Sequence, residues 1–271
     1  MRNLSWVLYF LVSAVLLTLL TQTGGVILIV AYLMWKLLKW DLAILRIGSF
    51  VAMYLVINLL LVPSLAGYFG RRPLPVVHDH LRPQNWFTVL ANRNYVSDEL
   101  YQVVMDAAAD YHATFPDRKL VYLDAAFPLG EKLPLPPHRA HSRGTAIDLA
   151  FAYTDADTGE PRRRAPNFLA YGRYEDPQGN EPNWPRDCRA SGSWWYGLPQ
   201  VFALRAFDNV EVDRDATRKQ LQQFSRHPKV KRIFLEPHLK QRWHLMAENK
   251  IRFHGCKAMR HDDHYHVEIV R

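Results

Sequence analysis

An α+β fold with apolar helices at its N-terminus is the class that this sequence predicts, from three observations. Residues 3–35 and 47–70 contain no Asp, Glu, Lys, Arg or His. From about residue 86 onward, short β-rich stretches and stretches with helical spacing are dispersed among each other, which is the α+β pattern. The whole chain of 271 residues is 49% apolar, 13% aromatic and 22% charged, enough hydrophobic material for a packed core and too much for a disordered chain.

A helix that spans a bilayer needs roughly 20 predominantly apolar residues. The first apolar run is too long for one helix, and Gln22-Thr23-Gly24-Gly25 interrupts it with a turn signal. Three spans are predicted, near 4–21, 25–40 and 46–68. A cleaved signal peptide would have a shorter apolar core and a small-residue cleavage site, and neither fits. Residues 1–72 hold six basic residues (Arg2, Lys36, Lys39, Arg46, Arg71 and Arg72) and one acidic residue, Asp41. The basic pI near 9.5 is therefore largely a property of the anchor. No later run of Lys and Arg is long enough to track a phosphate backbone, which excludes a nucleic-acid partner. The densest run, Arg162-Arg163-Arg164, reads as a solvated loop face.

Lys36, Lys39 and Arg46 lie between the second and third spans, and basic residues in short loops favour the cytoplasmic side. That places residues 73–271 outside, with Arg71 and Arg72 counting against the assignment. The expectation is a multi-pass protein of the bacterial inner membrane whose folded part faces the periplasm. Residues 71–85 are proline-punctuated and suit an extended linker, so the domains are expected at 1–70 (anchor), 71–85 (linker) and 86–271 (folded domain).

Within that domain, Ser97 can cap a helix carrying Leu100, Val103, Val104 and Ala107 at helical spacing, running to about Ala113. Residues 119–127 and 146–153 read as strands. Residues 154–198 are Gly/Pro/Asp-punctuated loops with room for a short helix, and loops that long are often functional. Helices follow near 198–207, 214–226 and 237–249, with strands at 230–235 and 264–270.

All twelve histidines lie after residue 77, and two tight groups have carboxylates nearby. One is His138-Arg-Ala-His141-Ser-Arg-Gly144-Thr-Ala-Ile-Asp148, the other His261-Asp-Asp-His264-Tyr-His266-Val-Glu268. Residues two apart on a strand share a face, so His264, His266 and Glu268 project together. Asp148 sits in Ala-Ile-Asp-Leu-Ala-Phe, where a carboxylate is expensive to bury without a partner or a metal. Gly144 permits a tight turn through which His141 and Asp148 converge. Two histidines and one carboxylate make a three-ligand set that leaves a fourth position open, as catalytic zinc requires. There is no His-Glu-x-x-His helix motif, so the chain is not a zincin.

The spacing His-x6-Asp followed by His-x-His resembles that of the zinc peptidases grouped with lysostaphin and the D-alanyl-D-alanine metallopeptidases. With His138 three residues before His141 and the ending His261-Asp-Asp-His264-Tyr-His266, the chain is most similar to the penicillin-insensitive murein endopeptidases. The resemblance covers about residues 115–271 and leaves the membrane segment unaccounted for, since those endopeptidases are exported soluble proteins. It implies a zinc-peptidase domain with a small central antiparallel sheet. His141, Asp148 and His266 would hold zinc, which lowers the pKa of water to about 7. It further implies His264 as base or oxyanion stabiliser, with His138 and His261 lining the cleft or supporting the site. The implied substrate is peptidoglycan and the implied reaction is amide hydrolysis in its peptides, cutting crosslinks. Partners in cell-wall synthesis or division machinery would suit a membrane-bound form. A D-amino-acid dipeptidase or carboxypeptidase, and a non-catalytic zinc-containing wall-binding module, are the competing readings. Glu268 reads by default as an exposed strand residue. Trp184, Trp194, Trp195 and Tyr196 form either a substrate wall or core packing. Cys188 and Cys256 fall in the presumed external domain, where one disulfide is expected.

Overall fold

The N-terminal apolar runs form helices α1 (Arg2–Thr21), α2 (Gly24–Leu37) and α3 (Ala43–Phe69). The computed structural model describes residues 2–131, 133, 135, 139–196 and 209–270. α1 and α2 are separated at Gln22, whose φ of 66° lies in the left-handed region. A Cβ on Gly25 would sit 2.3 Å from the Ala14 carbonyl oxygen, so only glycine allows α2 to approach α1 this closely. α3 has 27 residues, a rise of about 40 Å, and is long and apolar enough to cross a membrane. α2 has 14 residues and rises only about 21 Å, short of a hydrocarbon core of about 30 Å. Three apolar helices thus lie where three spans are expected, and among the described residues α3 is the one candidate membrane span.

The described residues fall into two compact units. The first comprises Met1–Leu74, Trp86–Asp98 and Ala126–Gly144. Pro63 has no N–H to continue the helical ladder, and just before it Ile57–Leu61 widens into a π turn in which Val62 N–H bonds Ile57 O. Asn58, in that turn, is buried among polar partners. Its Oδ1 accepts from Thr23 Oγ1 at 2.7 Å and from Asn92 Nδ2 at 2.5 Å, and Asn92 Nδ2 also lies 3.0 Å from Thr21 O. Gln22 bonds the Leu129 backbone twice, and the Tyr54 hydroxyl donates to Leu90 O at 2.6 Å. At the end of α3, Gly70 is left-handed and Arg71 N–H reaches back to Ala66 O at 3.0 Å, a Schellman termination. Arg72–Pro73 then pairs antiparallel with Tyr95–Val96.

The second unit comprises Pro75–Asn85, Glu99–Ala125 and Thr145–Arg271. Its sheet has six strands: β1 (Leu81–Pro83), β2 (Leu120–Tyr122), β3 (Ala146–Ala150), β4 (Val230–Phe234), β5 (Ile251–Arg252) and β6 (His264–Ile269), in the order β1-β2-β3-β6-β4-β5. The expectation of an antiparallel sheet holds for the four central strands only, because β1 pairs parallel with β2 and β5 parallel with β4. The stretch 71–85, read as an extended linker, supplies β1 and the Arg72–Pro73 pairing, so part of it is fold rather than tether. Helix Asp98–Thr114 begins directly after Ser97, as predicted, and buries Leu100, Val103, Val104, Ala107, Ala108 and Tyr111. Asp213 caps Arg214–Arg226 by accepting from Ala216 N–H at 2.9 Å. The helix expected over 237–249 stops at Arg242. His244 adopts φ 54°, and Leu245 N–H returns to Lys240 O at 2.9 Å. A histidine fills the position that glycine usually marks, so the periodicity runs on past the true end. The helix expected near 198–207 lies outside the described residues.

Cys188 and Cys256 form a disulfide, closing a loop with a sequence separation of 68 residues. His238 is fully buried; its Nε2 lies 2.7 Å from Glu175 O and 3.6 Å from Asp262 Oδ2, and Asp262 is paired with Arg260. Burial pushes the His238 imidazole down to about 4.

Two outcomes are expected. Cys188→Ser, or reduction, should lower the thermal midpoint of the full chain in detergent, since closing so long a loop is worth about 4 kcal/mol on a chain-entropy basis. A midpoint indifferent to reductant would show that the bridge contributes nothing. The second concerns acid. Between about pH 6.5 and 4 the unfolded His238 binds a proton that the folded one refuses, so its contribution is intact above about 6.5 and is lost as pH falls, on the order of 3 kcal/mol. His238→Gln should flatten the stability difference between about pH 7 and about pH 5, measured by urea unfolding; an unchanged slope would refute this.

Candidate metal centre

β3 and β6 are adjacent and antiparallel, and their register sets Asp148 opposite His266. Every residue of Ala146–Ala150 is buried, and Asp148 is 0% exposed. A carboxylate in that position needs partners. His266 Nδ1 lies 2.7 Å from Asp148 Oδ1, and the Tyr171 hydroxyl lies 2.9 Å from Asp148 Oδ2 and 3.2 Å from Asp124 Oδ2. His141, fully buried, is carried on the 3-10 turn Arg139–Arg143. His141, Asp148 and His266 each offer a ligand atom, and these atoms lie within 4.8 Å of one another. Two imidazoles and a carboxylate, buried together, form a group able to hold a metal ion.

The surrounding side chains have the arrangement of an outer shell. His266 uses its second nitrogen on Glu268, with Nε2 3.3 Å from Oε1, and Glu268 is anchored by Arg232 at 2.7 Å. Burial alone would lower the His266 pKa, but its hydrogen bonds with Asp148 and Glu268 push it up to about 9. For Glu268 burial acts upward, and His266 and Arg232 overcome it, holding the carboxyl down to about 2. This is the carboxylate-to-imidazole pairing that fixes the orientation of metal-ligating histidines. The default reading of Glu268 as an exposed strand residue is therefore corrected: it is partly buried and doubly engaged.

His264 also lies beside the group. Its Nδ1 is hydrogen-bonded to Asp263 Oδ1, and its Nε2 lies 3.8 Å from Asp148 Oδ1. Asp263 is itself fixed, since its Oδ2 accepts from Gly172 N–H. Burial disfavours the His264 imidazolium, but Asp263 and Asp148 outweigh it and the pKa is raised. The edge of the Tyr171 ring packs at 4.8 Å from the His264 ring. His261 is buried 5.0 Å from His264 and 5.9 Å from His266, ring to ring; burial, then the charges of those two histidines, hold it well below its ordinary value. Of the residues that the sequence singled out, His141, Asp148, His261, His264, His266 and Glu268 all have these placements, and His138 lies outside the described residues. Tyr171 and Asp124 were missed. Tyr171 lies in a long loop that carries no periodic signal. The aromatic group is dispersed: Tyr196 is buried and donates to Glu236 Oε1 at 2.6 Å, whereas Trp194 is 72% exposed.

The turn that carries His141 is itself clamped within the helical unit. Arg71, immediately after α3, has a side chain only 4% exposed. Its Nη2 donates to Ser142 O at 2.8 Å and its Nη1 donates to Arg143 O. Gly144 has φ +68°, and a Cβ there would meet Arg71 Nη1 at 2.2 Å, so glycine is needed for both backbone and room. No protein-family model and no curated protein matches this chain.

Metal content of the purified full chain, read by mass spectrometry, is expected to vanish in His141→Ala, Asp148→Ala and His266→Ala and to persist in His264→Ala. Glu268→Gln and Arg71→Ala should each weaken metal binding about 10–100-fold, the cost typical of losing an outer-shell partner. Wild-type affinity in Arg71→Ala would remove Arg71 from any role in placing His141.

Proposed function

We propose that the chain is a membrane-anchored zinc metallopeptidase that hydrolyses amide bonds in peptidoglycan peptides, as a murein endopeptidase cutting crosslinks. The observation that carries this reading is the coincidence of two facts in one place. The His-x6-Asp and His-x-His residues gather as a buried three-donor group, and His264, the one histidine of the motif left outside that donor set, is backed by Asp263 beside it. Zinc, when bound, supplies Lewis acidity and an activated water at neutral pH.

The remaining chemistry falls to the chain's own side chains. Attack of water on an amide carbonyl releases a proton, and His264 Nε2 is placed to accept it. Asp263 holds the Nδ1–H of the same ring and stabilises the imidazolium that results. The proton then passes from Nε2 to the amide nitrogen as the C–N bond breaks and the amine leaves. Tyr171, held against Asp148, orients the carboxylate and covers one side of His264.

The same reading places α3 across the bacterial inner membrane, with the Lys36, Lys39 and Arg46 loop in the cytoplasm and the sheet in the periplasm. A disulfide between Cys188 and Cys256 suits an oxidising compartment.

The test is digestion of purified peptidoglycan by the full chain in detergent, with released muropeptides read by mass spectrometry. Crosslinked dimers should convert to monomers, the conversion should stop with chelator and return with zinc, and Asp148→Ala should be inert. Folded, zinc-loaded protein that leaves every crosslink intact would sink the endopeptidase reading.

A further inference from the structure

The run Arg162-Arg163-Arg164 is held firmly in place. Arg162 N–H bonds Tyr153 O at 2.8 Å. On the other side of the run, the buried Gln84 clasps the chain: Ala165 N–H donates to Gln84 Oε1 at 3.0 Å, and Gln84 Nε2 lies 3.2 Å from Ala165 O and 2.8 Å from Asn167 O. Gln84 is two residues beyond Arg82 of β1, so the clasp brings three sequential arginines beside a fourth from a distant segment. With Ala165, Pro166 and Val210, the four arginines line a cavity of about 360 Å³.

The charges there are poorly matched by the protein. Arg162 pairs with Asp155 at 2.5 Å. Among the described residues, Arg82, Arg163 and Arg164 make no ion pair, and the buried Nε of Arg82 has no hydrogen-bond partner. Burial, then the charges of Arg164 and Arg163, push the Arg82 guanidinium below its ordinary value. Guanidinium groups do not escape such crowding by losing a proton, because they stay charged throughout the physiological range. A scaffold that holds like charges together around a space, with their donor forks unspent, lacks an anion of opposite charge. Its volume falls at the lower end of small-molecule sites, about 300–1,000 Å³. One carboxylate would leave most of the forks unused, whereas phosphate oxygens accept bidentate bonds from several guanidinium groups at once.

We propose that Arg82, Arg163 and Arg164, with Arg162 at the rim, bind a phosphate monoester or diphosphate group carrying at least two negative charges. The phosphate belongs either to a lipid headgroup or to a soluble or polymer-borne ligand. This inference is independent of the metal centre and stands whether or not the peptidase reading does.

The probe is inorganic pyrophosphate, titrated calorimetrically into the full chain that has been stripped of metal and dialysed free of chelator. Saturable binding is expected, resistant to competition by acetate. Arg82→Gln and Arg164→Gln should each weaken it at least about tenfold, the scale of one hydrogen bond to a charged group. Arg186→Gln, at an exposed guanidinium paired with Asp187, should bind like the parent. Arg163 and Arg164 are exposed, so their replacement spares the fold and keeps the test meaningful if Arg82→Gln is unstable. Absence of saturable binding, or equal affinity in the Arg163→Gln/Arg164→Gln double variant, overturns the proposal. Repeating the titration in nanodiscs separates the two sources. Weaker pyrophosphate binding in discs containing phosphatidic acid, whose headgroup is a phosphate monoester, than in phosphatidylglycerol discs of matched surface charge assigns the site to a lipid headgroup, and equal binding assigns it to a soluble or polymer-borne phosphate.

Discussion

Asp148 stands in the middle of a strand whose five residues are all buried, where the penalty for an unpartnered ion is several kcal/mol. Everything near it can be read as an answer to that cost. The cross-strand register sets His266 directly opposite, so the carboxylate meets an imidazole rather than hydrocarbon. Tyr171 reaches the second oxygen from a loop, and Glu268 then takes the far nitrogen of His266 while Arg232 neutralises Glu268. The chain of partners runs carboxylate, imidazole, carboxylate, guanidinium, with alternating charge at each step. Removing an interior member takes a charged partner from each of its neighbours, which is why such a network holds one geometry.

The apolar helices do more than provide length. Thr23, Asn58 and Asn92 satisfy one another in a setting where an unbonded amide would be costly, and this ties the α1–α2 turn and the π turn of α3 to the segment around residue 92. Gln22 fixes the Leu129 backbone and Arg71 fixes the carbonyls after His141. The segments bracketing the His141 turn are thus built into the helical unit, and a chain beginning at residue 73 would keep His141 while losing the guanidinium that holds its turn.

Much of this was legible from residue types and spacing. Period two places His264, His266 and Glu268 on one face, and a lone Asp in Ala-Ile-Asp-Leu-Ala identifies the anomalous carboxylate. The helix from Asp98 and the strands at 146–150, 230–234 and 264–269 follow from caps and alternation. The remainder depends on information that periodicity does not carry. The parallel edge strands need distant pairing, as Leu81 with Leu120 shows. The end of the helix at Arg242 is set by a left-handed histidine that leaves no glycine to read. Tyr171 and Arg71 act at long sequence separation from loop and helix-end positions, where no local pattern distinguishes them from solvent-facing residues. The arginine run is exposed, as a solvated loop face should be, but its clasp to Gln84 spans 81 residues and leaves no local pattern.

Charge also explains why a cation, rather than a proton, suits the donor group. Asp148, Glu268 and Asp263 surround His264 and His266, and their field raises both imidazole pKa values against the opposing effect of burial. A site that binds protons above their ordinary affinity is electrostatically negative, and protons on His266 Nδ1 compete with any metal for that nitrogen. A dication held by His141, Asp148 and His266 would supply the positive charge that those protons supply. The cavity lined by Arg82 and Arg164 has the opposite sign, with donors in excess and Asp155, paired with Arg162, the one carboxylate beside it among the described residues. The sheet-bearing unit therefore carries two charged clusters of opposite sign, the carboxylates around His264 and His266 and the arginines around the cavity.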